Sequence, residues 1–195
     1  DKSFTWDQQT APTSCPSAGK AESMGESLIV STGLQKSSSL RPPPWLSHDG
    51  GFFRPGVPMP TVTVTRRLKF NAAHRVHNPA LSDEDNRRIF GKCNNPYGHG
   101  HNYTLDVSVA GEVDPNTGYV LDLTSLKELV TAEVLNVVDH HNLNIDVPFM
   151  HGVIPTAENM IVEFWRILAG RITSGRLVRL VLWETENNYV EYDGN

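Results

Sequence analysis

Between His101 and Val113 the side chains alternate: Tyr103, Leu105, Val107 and Val109 fall on one face, and Asn102, Thr104, Asp106 and Ser108 on the other. A period of two with one apolar face belongs to an antiparallel strand that covers a core on one side only. Such a strand needs neighbours along its edges and a layer across its apolar face. Val62, Val64 and Phe70 mark one neighbour, an extended run from Thr61 that ends near His74. Arg176 to Trp183 is another, with Val178, Leu180 and Leu182 opposite Leu177, Val181 and Trp183, and Asn187-Asn188 signals a turn into Tyr189 to Tyr192. The covering layer comes from two amphipathic helices. Leu126, Leu129, Val130, Val134, Val137 and Val138 recur at helical spacing opposite Lys127, Glu128 and Glu133, with Thr124 or Asp122 as the cap. Thr156 caps the second helix, and Met160, Ile161, Phe164, Trp165 and Leu168 form its stripe. A short helix opens at Ser82 with Asp83-Glu84-Asp85 in its first turn and stops at Gly91. The expected fold is α+β: a four-stranded antiparallel sheet backed by two helices, in the order ββααββ.

That domain accounts for residues 61–195. Residues 1–60 are rich in Ser, Pro and Gly, including Ser37-Ser38-Ser39 and Pro42-Pro43-Pro44, and lack sustained apolar periodicity. Such a stretch does not bury enough apolar area to offset its ordering entropy, so an unstructured extension is expected, with one short docked piece around Trp45 to Phe53. Acids at Asp7, Glu22 and Glu26 argue against a targeting peptide. The formal charge of −5 argues against nucleic acid or an anionic membrane surface as partner, and no apolar run reaches membrane-spanning length. Two cysteines, Cys15 and Cys93, make no disulfide framework; a reducing, cytoplasmic location is expected.

Chemistry concentrates in Gly91-Lys92-Cys93-Asn94-Asn95-Pro96-Tyr97-Gly98-His99-Gly100-His101-Asn102-Tyr103. On a strand, His99 and His101 leave the same face about 7 Å apart along the backbone, and two such imidazoles can share one metal ion. Gly98 and Gly100 clear the way for a close backbone approach. His74, at the end of the first strand, is the best third ligand. Three neutral histidines with an open fourth position make a catalytic zinc pattern, whereas His-x-His alone is often a surface or hydrogen-bonding pair. Free cysteine is most often a small buried hydrophobe, but Lys92 and Asn94-Asn95 do not read as core around Cys93. A reactive thiol needs a base, and Asp139-His140 is the natural pair, the aspartate fixing the histidine tautomer. Glu184 ends a strand, where an acid is usually just solvated. Thr156 and Glu158 suit a helix N-terminus without any ligand.

The Gly91–Tyr103 stretch resembles the signature of the 6-pyruvoyl tetrahydropterin synthase family. Ala73-His74-Arg75, Asp139-His140-His141-Asn142-Leu143, Thr156-Ala157-Glu158-Asn159 and Glu184-Thr185-Glu186-Asn187-Asn188 carry the resemblance onward, from about Thr65 to the C-terminus. It implies the T-fold, in which subunits join sheets into a barrel around a tunnel, typically as a homohexamer of two stacked trimers with active sites between subunits. It implies conversion of 7,8-dihydroneopterin triphosphate to 6-pyruvoyl-tetrahydropterin with loss of triphosphate. Zinc, one per subunit, would sit on His74, His99 and His101, and magnesium would accompany the triphosphate. Cys93, Asp139 and His140 would be catalytic, with His141 structural. Glu184 would anchor the pterin ring through two parallel hydrogen bonds, with Thr156 and Glu158 at the same ring. Arg75, Arg87, Arg88 and Lys92 are the nearest cations for the triphosphate, without a choice among them. Ala157, Asn71 and His141 depart from the animal pattern. The nearest rival is 6-carboxytetrahydropterin synthase, whose cysteine lies closer to its His-Gly-His; a non-catalytic zinc-binding module is the rival of another class.

Overall fold

Two fourteen-residue strands, β1 (Thr61–His74) and β2 (His99–Glu112), pair antiparallel along their full lengths, from Thr61 opposite Glu112 to His74 opposite His99. They form the axis of a computed structural model that describes residues 59–195; the expectations for the N-terminal extension, including Trp45 to Phe53, fall outside the described residues. Between these strands, α1 (Asp83–Phe90) is capped by Ser82, whose hydroxyl accepts from the Asp85 N–H, and ends at Gly91, which has φ 52°. A 3-10 turn, Gly91–Asn94, then leads back to β2.

The sheet has five strands, in the order β3-β1-β2-β4-β5, once β3 (His141–Asn142), β4 (Arg176–Trp183) and β5 (Tyr189–Tyr192) are added. This corrects the four-stranded expectation. β3 has only two residues, too few to carry a period, and it runs parallel to β1 at Ala72 and Ala73. The pairing of β2 with β4 also slips: Ser108 faces Arg179 but Val109 faces Leu177, which leaves Val178 as an extra residue. The slip turns Leu177 onto the core face with Leu180 and Leu182, against the strict alternation expected for this strand.

The helical layer packs on that face. α2 (Leu123–Val130) is capped by Asp122 rather than Thr124, its carboxylate accepting from the Thr124 and Ser125 N–H groups. The helix widens into one π turn, Thr131–Leu135, before α3 (Asn136–Val138). The wider turn rotates the stripe, so Leu135 is buried beside Val130, Val134 and Val138 while Val137 is only partly buried. α4 (Ala157–Ala169) starts at the Thr156 cap and buries Met160, Ile161, Phe164 and Leu168, with Trp165 at the margin. The Phe164 ring meets Phe70 of β1 edge-on at 6.1 Å. Among the described residues no helix is long and apolar enough to cross a membrane.

Candidate active site

The β1–β2 register builds the imidazole cluster. His74 stands opposite His99, and His101 opposite Ala72, so all three rings occupy the core-facing side at one end of the ladder. His74 Nε2 lies 3.1 Å from His99 Nε2, and one ligand atom from each of the three histidines falls within 4.8 Å of the others. The His74 Nδ1–H donates to the Pro155 carbonyl at 2.7 Å, so Nε2 keeps its lone pair and points into the cluster. Burial is the main cause that lowers the His74 pKa below 6.5, the Pro155 carbonyl opposing it. Burial likewise lowers that of His101, opposed by the Glu184 charge and reinforced by His99. Neutral imidazoles are what a metal ion requires. His99 Nδ1 and His101 Nε2 are buried without a hydrogen-bond partner among the described residues. Nitrogens that share one ion at roughly 2.0–2.1 Å lie about 3.3–3.4 Å apart, close to the 3.1 Å of the His74–His99 pair, and the third imidazole within 4.8 Å completes a donor set that fits a divalent transition metal. Gly98 makes the approach possible: at φ 73°, a Cβ there would stand 3.0 Å from the His74 carbonyl oxygen.

A cavity of about 400 Å³ opens beside the cluster, lined by His74, Cys93, Thr156, Glu158 and Glu184 among others. Cys93 is exposed on the 3-10 turn. Glu184 Oε1 lies 3.8 Å from both His74 Nε2 and His101 Nε2, at the imidazole end of the cavity, whereas Thr156 and Glu158 occupy the N-terminus of α4. The Tyr103 hydroxyl is buried beneath them, facing Glu184, and burial first, then the Glu184 charge, raises its pKa far above the ordinary tyrosine value. It is a neutral phenol at any working pH. Period two along β2 places it on the face of His99 and His101, where it reads as one of the strand's apolar side chains.

Asp139 and His140 form a pair, with Asp139 Oδ1 3.0 Å from His140 Nδ1. The Asn71 N–H donates to the same Asp139 oxygen at 2.8 Å, and this bond is the first cause holding that carboxyl below the ordinary aspartate value. The His140 N–H returns a bond to the Asn71 carbonyl at 2.7 Å, with His140 at φ 61°. Within one chain this pair does not share the Cys93 cavity. His140 lines a separate cavity of about 570 Å³ with His101, Asn102, His141 and Asp146. His141 Nδ1–H donates to the Asp139 carbonyl at 2.8 Å, which secures the turn. Of the four candidate cations, Arg75 lines a third cavity of about 540 Å³, and Arg87, Arg88 and Lys92 are exposed.

Fold and site together define an α+β protein in which two paired strands present a three-histidine cluster, with the donor set for a metal ion, to a cavity carrying a thiol and two carboxylates. The family model described as 6-pyruvoyl tetrahydropterin synthase matches residues 63–195. The chain is 46% identical over 131 residues to the human 6-pyruvoyl tetrahydrobiopterin synthase, covering 67% of this chain and 90% of that protein. The Drosophila melanogaster protein of the same name is 41% identical over 136 residues, covering 69% and 81%. The solved structure of Caenorhabditis elegans 6-pyruvoyl tetrahydropterin synthase superposes with a TM-score of 0.68 at 42% identity, over 71% of this chain and 99% of that one. This chain belongs to the 6-pyruvoyl tetrahydropterin synthase family.

Proposed function

We propose that residues 61–195 form a zinc-dependent lyase that converts 7,8-dihydroneopterin triphosphate to 6-pyruvoyl-tetrahydropterin and triphosphate, a step of tetrahydrobiopterin synthesis. The observation that carries the reading is the convergence of His74, Cys93 and Glu184 on one cavity, with His99 and His101 completing the metal site behind it. His74, His99 and His101 hold the zinc, which when bound supplies positive charge to the substrate side-chain hydroxyls and acidifies the neighbouring C–H. Cys93 takes that proton as thiolate and returns it elsewhere on the side chain, so loss of triphosphate is balanced by internal proton shifts and no nicotinamide is consumed. Glu184, Thr156 and Glu158 bind the pterin. A carboxylate matches the ring N–H and adjacent amino group with two parallel hydrogen bonds, and the helix N–H groups beside Thr156 add donors. Magnesium travels with the triphosphate.

Cys93 and the Asp139–His140 pair lie in different cavities of one chain, which supports a site shared between subunits. The proton relay then runs from Cys93 to the partner subunit's His140, oriented by the partner's Asp139. The sheet has edges to offer: β5 is four residues long, and among the described residues β1 is paired on its outer side only at Ala72 and Ala73. Joining such edges gives the tunnel barrel, a homohexamer of two trimers, in the cytoplasm.

The test is turnover of dihydroneopterin triphosphate by the wild type and by Cys93→Ala, with bound zinc quantified in both. Loss of turnover with zinc retained supports the reading. Zinc lost together with the thiol would make Cys93 a ligand, and a zinc-loaded wild type that forms a 6-carboxy product or none would overturn the assignment.

A further inference from the structure

The chain leaves the last residue of β1 in an extended zigzag that separates two cavities. His74 and Val76 line the 400 Å³ cavity with Cys93, while Arg75 and His77 line the 540 Å³ cavity on the other side. Arg75 and His77 therefore do not face the metal site, yet both hydrogen-bond to the residue after the thiol. The Arg75 Nε–H donates to Asn94 Oδ1 at 3.0 Å and also reaches the Asn94 carbonyl at 3.3 Å. His77 Nδ1–H donates to the same Oδ1 at 3.0 Å. Between these contacts the Val76 N–H donates to the Cys93 carbonyl at 2.9 Å. Asn94 is 7% exposed, whereas Cys93 beside it is exposed. A one-turn 3-10 segment has few internal bonds to hold its shape. Here three successive residues, Arg75, Val76 and His77, hold it from outside, immediately after a metal-binding histidine.

We propose that Asn94 is a positioning residue: its side-chain carbonyl, gripped by Arg75 and His77, fixes the Cys93 turn relative to His74, so that the thiol stays at the mouth of the imidazole cluster. The proposal rests on the reading of Cys93 as the proton-transferring group. A displacement of about 1 Å at such a group costs on the order of a hundredfold in rate. Asn94→Ala removes the acceptor, and Asn94→Asp keeps it and adds charge to both bonds.

Three readouts separate positioning from a merely structural role. In steady-state kinetics, Asn94→Ala lowers kcat by roughly 10- to 100-fold with KM and bound zinc unchanged, and Asn94→Asp restores most of the rate. In a Cys93→Ala background, Asn94→Ala lowers the residual rate no further, because the group it positions is already gone. In a Cys15→Ser background, a nitroxide label on Cys93 gives a broader, more immobilised spectrum in otherwise wild-type protein and in Asn94→Asp than in Asn94→Ala. If Asn94→Ala does not fold, His77→Ala, which removes one donor only, replaces it in all three comparisons. The proposal is overturned by a rate loss that tracks zinc loss, by one that persists undiminished in the Cys93→Ala background, or by identical label mobility in wild type and variant. A wild type without turnover defeats the functional reading instead, and the label spectra still decide the clamp.

Discussion

At His74, burial and one backbone carbonyl decide the protonation state. The imidazole is 1% exposed and binds a proton less readily than the ordinary histidine value of 6.5 allows, as does His101. Below 6.5 the unfolded chain binds more protons than the folded one, so stability and the neutral ligand set are fully present above 6.5 and are lost as pH falls through the lowered folded values. Bound zinc per chain, measured after equilibration across a pH series, is expected to hold constant from roughly pH 8 to 7 and to fall only below the ordinary histidine range. Full retention near pH 4 would contradict neutral histidine ligation. Gly98 provides a second residue-scale prediction. Gly98→Ala places a methyl 3.0 Å from the His74 carbonyl oxygen at φ 73°, whereas Gly91→Ala meets nothing within 4 Å at φ 52°. Both incur positive-φ backbone strain on the order of 1–3 kcal/mol, but only Gly98→Ala displaces His74 and weakens zinc retention. Chelator competition on the two variants measures the difference. The three histidines were legible because period two puts His99 and His101 on one strand face and His74 ends the neighbouring extended run. The Pro155 carbonyl that fixes the His74 tautomer was not, since it lies 81 positions away and acts through its backbone.

The elements of this fold were legible where a pattern ran long enough to average out. β1, β2 and α4 lie within a few residues of their expected spans, and Ser82 and Thr156 cap their helices as read. Two departures are local changes of period that leave composition untouched, the extra Val178 opposite β2 and the π turn at Thr131–Leu135, and a third, the two-residue β3, is too short to carry a period. Each is selected by packing against a neighbour, which a single stretch of sequence does not display. The join between helix and sheet is where packing is most concentrated. Phe164 is fully buried, 6.1 Å from both Phe70 and Phe149, and Phe70 in turn stacks on Tyr103 at 4.9 Å beneath the imidazoles. Phe164→Ala is expected to lower stability by roughly 3–5 kcal/mol, through lost burial and the cavity left behind. Urea unfolding measures it. A loss under about 1 kcal/mol would mean that α4 does not depend on this contact to stay on the sheet.

For the whole molecule, the decisive fact is that the parts of one proposed relay open onto different cavities. Cys93 lines the space beside His74 and Glu184, and His140 lines the space beside His141 and Asp146, with His101 bordering the latter. No spacing in a sequence distinguishes residues that meet within a chain from residues that meet across a subunit boundary, so Cys93, Asp139 and His140 stand out in the sequence as reactive residue types while the separate cavities beside Cys93 and His140 do not. A shared site makes a quantitative claim about mixtures. Cys93→Ala and His140→Ala are each expected to be nearly inactive as pure homo-oligomers. After the two are dissociated together and reassembled in equal amounts, random pairing places an intact Cys93 against an intact partner His140 at about one quarter of the boundaries. Activity should therefore return to roughly a quarter of the wild-type value per site. If the relay were complete within one chain, every site would retain one defect and the mixture would stay as inactive as its components. Measuring turnover before and after co-reassembly, with Asp139→Asn in place of His140→Ala as an independent partner, separates the two arrangements.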